Sequence, residues 1–130
     1  MSKIYDANLV AIILEEMREC VESDNFVLVQ TEKNKAFISE YALSRNMQKE
    51  LLLAINVEDY FNSSESRNFS GRYVHEFCPN IELCAFDGNS ANLSVYVKFE
   101  LEEVNPDLHV VVISLHLPEY PVCYPFIDKK

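Results

Sequence analysis

Residues 92–100 (NLSVYVKFE) and 110–117 (VVVISLHL) constrain the fold of this chain more than any other stretch. Successive side chains of a strand point to opposite faces of a sheet. Val95, Val97, Phe99 and Leu101 therefore fall on one face, and Ser94, Tyr96, Lys98 and Glu100 on the other. The apolar row is a core face. The polar row sets a phenol and an ammonium about 7 Å apart along one strand. In the second segment Val111, Ile113 and Leu115 share a face, opposite Val112, Ser114 and His116. A hairpin turning near Asn105 pairs the two segments, and a register that opposes apolar row to apolar row keeps both core faces together. That rule predicts Val97 opposite Ile113, Phe99 opposite Val111, and His116 next to Ser94 and diagonal to Tyr96. Tyr96, Lys98 and His116 then emerge on one exposed face, a set able to move protons on a phosphate-bearing substrate.

A chain of 130 residues can bury a proper core and fits one domain, residues 1–130. Its 48% apolar and 12% aromatic content argues for a folded protein rather than a disordered one. No run approaches the roughly eighteen apolar residues of a membrane span, so no membrane partner is expected. The opening MSKIYDANLV carries charge where a signal peptide would be apolar, and a cytoplasmic address is the expectation. Cys20, Cys78, Cys84 and Cys123 form no CxxC pattern and sit among apolar neighbours. Buried, reduced thiols are expected, with no metal site.

With 21 acidic and 11 basic residues, the net charge is −10. Phosphate neutralisation dominates nonspecific nucleic-acid affinity, so this sign weighs against such binding. The acids gather in residues 15–24, 40–59 and 100–107, whereas Arg67, Arg72, His75, Lys98 and His116 fall near the proposed face.

Along the chain, Asp6 or Asn8 caps a first helix running to Glu22, whose apolar stripe includes Leu9, Ile13, Met17 and Cys20. Residues 26–29 read as a short buried strand. A second helix covers residues 33–43 with Phe37, Ile38 and Tyr41 inward. Ser44 caps a third, 45–55, with Met47, Leu51 and Ala54 or Leu52 and Ile55 inward. Residues 62–70 are polar, serine-rich and unpatterned, and read as an exposed loop. From Tyr73 the pattern is β, over residues 73–77, 81–86, 93–101 and 110–117, with Asp87-Gly88-Asn89 as the clearest turn. The proline-rich tail, 118–127, is expected to run extended along an edge or across the surface. Helices first and strands second predict an α+β fold, with N-terminal helices packed on one face of a mostly antiparallel sheet.

The motifs of several enzyme classes are missing. Only Gly71 and Gly88 occur, so there is no glycine-rich phosphate loop. Neither HExxH nor HxE…CxxC is present, and no GxSxG elbow appears. Among the histidines, His109 continues the apolar face of its strand and reads as structural. His75, between Tyr73 and Phe77 on its face, is either a half-buried polar residue or a substrate contact. His116 has polar face-mates and reads either as an acid–base group or as a strand-end histidine bonded to the tail. Tyr96 alone suits a cross-strand aromatic and Lys98 an edge charge. Together they suit RNA cleavage, which needs a base for the 2′-hydroxyl, an acid for the leaving 5′-oxygen and a cation for the transition state. His116 supplies acid or base near neutral pH, Lys98 the cation, and Tyr96 a hydrogen bond or a stacking surface. Arg72 or Arg67 adds a phosphate contact.

At these residues the chain resembles the MqsR-like branch of the RelE-type toxins, ribonucleases of bacterial toxin–antitoxin modules. The matching pieces, in family order, are LLLAINVEDYFNSSES, YVHEFCPNI, VYVKFEL and VVVISLH followed by LPEYPVCYPF, over roughly residues 34–126. The resemblance implies helices against a curved antiparallel sheet, mRNA cleavage on the exposed sheet face, no cofactor, and neutralisation by a cognate antitoxin. Tyr96 and Lys98 fall on the family's strand tyrosine and lysine, and His116 where a basic residue closes the last strand. Phe61 or Asn62 stands where related toxins place a lysine, the glutamine of the next strand is replaced around Val74, and the chain is acidic where such toxins are commonly basic. Those departures leave open a ribosome-dependent activity. They also leave open a non-catalytic acidic interaction protein of the same fold, such as a nucleic-acid mimic whose partner is a basic nucleic-acid-binding protein.

Overall fold

The computed structural model describes residues 2–66, 72–84, 88–104 and 107–127. Three helices begin at side-chain caps. Asp6 accepts from Leu9 N for α1 (Ala7–Glu22), Thr31 from Asn34 N for α2 (Glu32–Glu40), and Ser44 from Met47 N for α3 (Arg45–Leu53). The strands are β1 (Ser2–Lys3), β2 (Phe26–Leu28), β3 (Tyr60–Glu65), β4 (Tyr73–Phe77), β5 (Asn80–Cys84), β6 (Ser90–Ser94), β7 (Tyr96–Val104) and β8 (Asp107–His116). Six of them form one sheet in the order β1-β3-β4-β7-β8-β2, antiparallel except for β2 beside β8. β5 and β6 pair separately. The helices pack on one face of the larger sheet, and the α+β class expected from the sequence holds.

The core is the face carrying Tyr60, Phe77, Val95, Val97, Phe99, Val110, Val112 and Leu115, all under 2% exposed. Phe77 and Phe99 stack with ring centroids 5.4 Å apart. From the helices come Val10, Leu14, Met17, Val21, Phe37, Leu51 and Leu52. Arg45 lays its guanidinium 3.8 Å from the Phe26 ring centroid and donates to the Phe26 carbonyl, tying α3 to β2.

Several expectations change. Residues 60–65 form a strand and not a loop, because Tyr60 and Ser63 are buried on the core face while β4 and β1 satisfy their backbone. The expected strand 93–101 divides at Val95, whose N–H donates to the Pro79 carbonyl, so its first part joins β5 and its second the main sheet. Met47, expected inward, is 40% exposed. Cys20 and Cys78 are buried thiols, but Cys84 and Cys123 are exposed.

The largest correction concerns the β7–β8 register. Tyr96 pairs directly with His116 and Lys98 with Ser114, but Phe99 pairs with Val112. Ile113 is the extra residue of a β-bulge. Beyond it the parity of β8 reverses, so Val110 and Val112 face the core in place of Val111, and His109 lies opposite Glu102 on the other face. The run Val110–Ile113 is apolar at every position, so alternation could not choose its parity.

Asn34 of α2 holds this bulge. Only 1% exposed, it donates its two amide hydrogens to the carbonyls of Val29 (2.8 Å) and Ile113 (3.0 Å), and its oxygen accepts from Leu115 N (2.8 Å). A bulge leaves ladder groups unpaired, and here one buried amide satisfies them. Asn34→Leu strands a buried N–H and two carbonyls, and an unfolding free energy lower by at least about 2 kcal/mol is expected from urea denaturation. A loss under about 0.5 kcal/mol would show that the clamp is not needed.

Candidate active site

The face away from the helices carries Asn62 and Ser64 of β3, Val74 and Glu76 of β4, Tyr96, Lys98, Glu100 and Glu102 of β7, and Ser114 and His116 of β8. Tyr96, Lys98 and His116 therefore share one face, as the alternation requires, but Tyr96 and His116 are direct partners and not diagonal ones. Their ring centroids are 5.3 Å apart. The Phe61 ring, brought onto this end of the sheet by an irregularity in β3 pairing, lies 6.0 Å from Tyr96.

Glu76 is the member that sequence reasoning missed. Its Oε1 accepts from the Tyr96 hydroxyl at 2.5 Å and its Oε2 from Asn62 Nδ2 at 2.7 Å. Burial, reinforced by the bond to the Glu76 carboxylate, pushes the Tyr96 phenol well above the usual tyrosine range and keeps it protonated. The signal for Glu76 was present. In YVHEF the aromatic row Tyr73, His75, Phe77 is the core row, which leaves Val74 and Glu76 facing out.

His116 Nδ1 lies 2.8 Å from the Leu117 carbonyl. A carbonyl only accepts, so Nδ1 carries hydrogen and Nε2 is the nitrogen available for chemistry. Among the described residues Lys98 has no ion pair, and it sits in register between Glu76 and Ser114. Beyond His116 the tail turns along the site. Phe61, Glu76, Tyr96 and His116 form one side of an open cleft of ≈ 280 Å³, and Pro118 to Val122 the other. Lys33 of α2 secures that wall through an ion pair to Glu119, 2.5 Å apart, and its ammonium holds the Glu119 carboxyl below the usual carboxylate range.

Of the other predicted contacts, Arg72 and His75 do not line this cleft. Arg67 is outside the described residues. Arg72 is on the same face but engaged: its Nε donates to Glu100 at 3.0 Å, and Nη2 lies 3.1 Å from Glu102. Glu100 is 5% exposed, so Arg72→Met leaves a buried charge uncompensated and is expected to destabilise the fold by about 3 kcal/mol or more in urea unfolding. A neutral effect would mean that Arg72 is available to a ligand.

His75 faces the core, away from Tyr96. It is 6% exposed, beside the Tyr5 and Phe99 rings, with Nδ1 2.8 Å from Ser63 Oγ, which is itself 2.7 Å from the Tyr60 hydroxyl. Burial lowers its pKa to about 4 from an ordinary 6.5. Between those values the unfolded chain binds a proton that the folded one refuses, so stability falls as pH drops through this window. The contribution is about 3 kcal/mol at its limit. The stability difference between wild type and His75→Gln is expected to shrink by that order between pH 7 and 4. A difference independent of pH would contradict the burial of a neutral imidazole.

Among the described residues no three His, Cys, Asp or Glu side chains converge as metal ligands, and no helix is long and apolar enough to cross a membrane. No protein-family model matches the chain, and no curated protein matches it.

Proposed function

We propose that this protein is a toxin-type endoribonuclease, an MqsR-like mRNA interferase that cleaves RNA without a metal ion. The observation that carries the reading is the meeting of Tyr96, Glu76 and His116 in one open cleft, with Lys98 two residues along β7 on the same face. Two titratable groups flanking one space are what phosphodiester transesterification requires. Glu76 takes the proton of a ribose 2′-hydroxyl as its oxygen attacks the adjacent phosphorus. The P–O5′ bond breaks, and the His116 imidazolium gives its Nε2 proton to the leaving oxygen. The products are a 2′,3′-cyclic phosphate and a 5′-hydroxyl. Lys98 offsets the charge that gathers on the phosphoryl oxygens. Tyr96, kept protonated, fixes the Glu76 carboxylate. This role places the protein in the cytoplasm, acting on mRNA, free or on the ribosome, and held in check by a cognate antitoxin.

A second reading, a non-catalytic acidic protein that occupies a basic nucleic-acid-binding partner, is favoured by the carboxylates Glu76 and Glu102 on the same face and by the engagement of Arg72.

Incubating purified protein with single-stranded RNA in EDTA, and with ribosome-bound mRNA in a magnesium buffer, separates the two. Cleavage to cyclic-phosphate ends is expected, reduced roughly 10²- to 10⁴-fold by Glu76→Gln or His116→Ala, and strongly by Lys98→Ala. RNA left intact in both settings would overturn the enzymatic reading in favour of the second. Cleavage that survives all three substitutions would assign it to a contaminant.

A further inference from the structure

We infer that the cleft beside His116 is a subsite for one unpaired nucleobase of the RNA, with Tyr120 as its stacking wall, an inference that rests on the RNA-cleaving reading above. The lining divides by chemistry. Phe61, Tyr96, Tyr120, Pro118 and Pro121 offer flat or apolar surface, and the polar groups are the His116 imidazole and the carboxylates Glu76 and Glu119. A phosphate lodged against the tail wall meets the Glu119 carboxylate, whereas at the Glu76 edge Lys98 stands beside it. A flat, uncharged base meets ring faces and hydrogen-bond acceptors instead. Lys98, on the same face but not part of the lining, draws the backbone phosphate alongside. Charge therefore orients the substrate, with the base against the tail wall and the scissile phosphate at the sheet side, between Glu76 and His116 and beside Lys98.

Tyr120 is 80% exposed, the most exposed of the large hydrophobic side chains described. An aromatic ring so exposed is ordinarily free to move, but the chain on either side of it is held. Glu119 is paired with Lys33, and Pro121 follows directly. Further on, the Tyr124 hydroxyl donates to the Cys78 carbonyl at 2.7 Å and Phe126 stacks 5.6 Å from Tyr60. A wall fixed before binding lowers the ordering cost of stacking. At ≈ 280 Å³ the cleft takes one ring system. A paired base is stacked within its helix, so only an unpaired one can enter.

The chain contains no tryptophan, so Tyr120→Trp gives a single fluorescent reporter. The probe is a single-stranded RNA with 2′-O-methyl sugars, which blocks cleavage, alongside an abasic strand of the same length. Saturable indole quenching by the first, with affinity at least about tenfold weaker for the second, is expected from base–aromatic stacking. Tyr120→Ala is expected to weaken binding of the methylated strand by a similar factor, with the urea midpoint unchanged. Equal responses to both strands, no response, or wild-type affinity in Tyr120→Ala would overturn the subsite. Base-dependent quenching without cleavage of unmodified RNA would leave the subsite standing and remove the catalytic reading. Cleavage by wild type with equal quenching by both strands would do the reverse.

Discussion

One buried amide sets the geometry of the exposed face. Asn34 reaches from α2 into the backbone of β8, and its bonds to Ile113 and Leu115 bracket the residue that breaks the β7–β8 ladder. Without the extra residue, a strand whose first half buries Val110 and Val112 would also turn His116 inward in place of Leu115. With it, the last three residues of β8 reverse parity, Leu115 returns to the core, and His116 stands across from Tyr96. The same helix supplies Lys33, whose bond to Glu119 fixes the tail that walls the cleft. Core packing and site assembly thus share one element.

The electrostatics of the face limit how so acidic a chain could address RNA, the substrate proposed above. Cations are not in surplus there; Arg72 is committed to Glu100 and Glu102. Lys98 is the cation of the face without an ion pair among the described residues. Affinity through many phosphate contacts is unavailable to such a surface, so recognition has to draw on ring stacking and short polar contacts. The aromatic row formed by Phe61, Tyr96 and His116 offers surface for the first, and the Glu76 carboxylate an acceptor for the second.

Much of this was legible in the chain itself. The strict alternation over Val95–Leu101 announced its two faces, and Ser44 and the choice of Asp6 or Asn8 announced where two helices start, with Asp6 the cap in the structure. What could not be read follows a physical pattern. The run Val110–Ile113 is apolar at both parities, so only the contact with Asn34, distant in sequence, decides the register. Ser63 and Asn62 look like loop residues because their partners, His75 and Glu76, come from another strand. The outward turn of Glu76, by contrast, was legible, because in YVHEF the rings of Tyr73, His75 and Phe77 share the opposite row and His75 packs among core aromatics.

The bulge is the claim on which the site depends, and nuclear Overhauser contacts across β7 and β8 in solution test it most directly. The account predicts backbone contacts for the pairs Lys98–Ser114 and Phe99–Val112, and ring contacts between Tyr96 and His116. An unbroken ladder, with Phe99 opposite Val111 and no Tyr96–His116 ring contact, would contradict it.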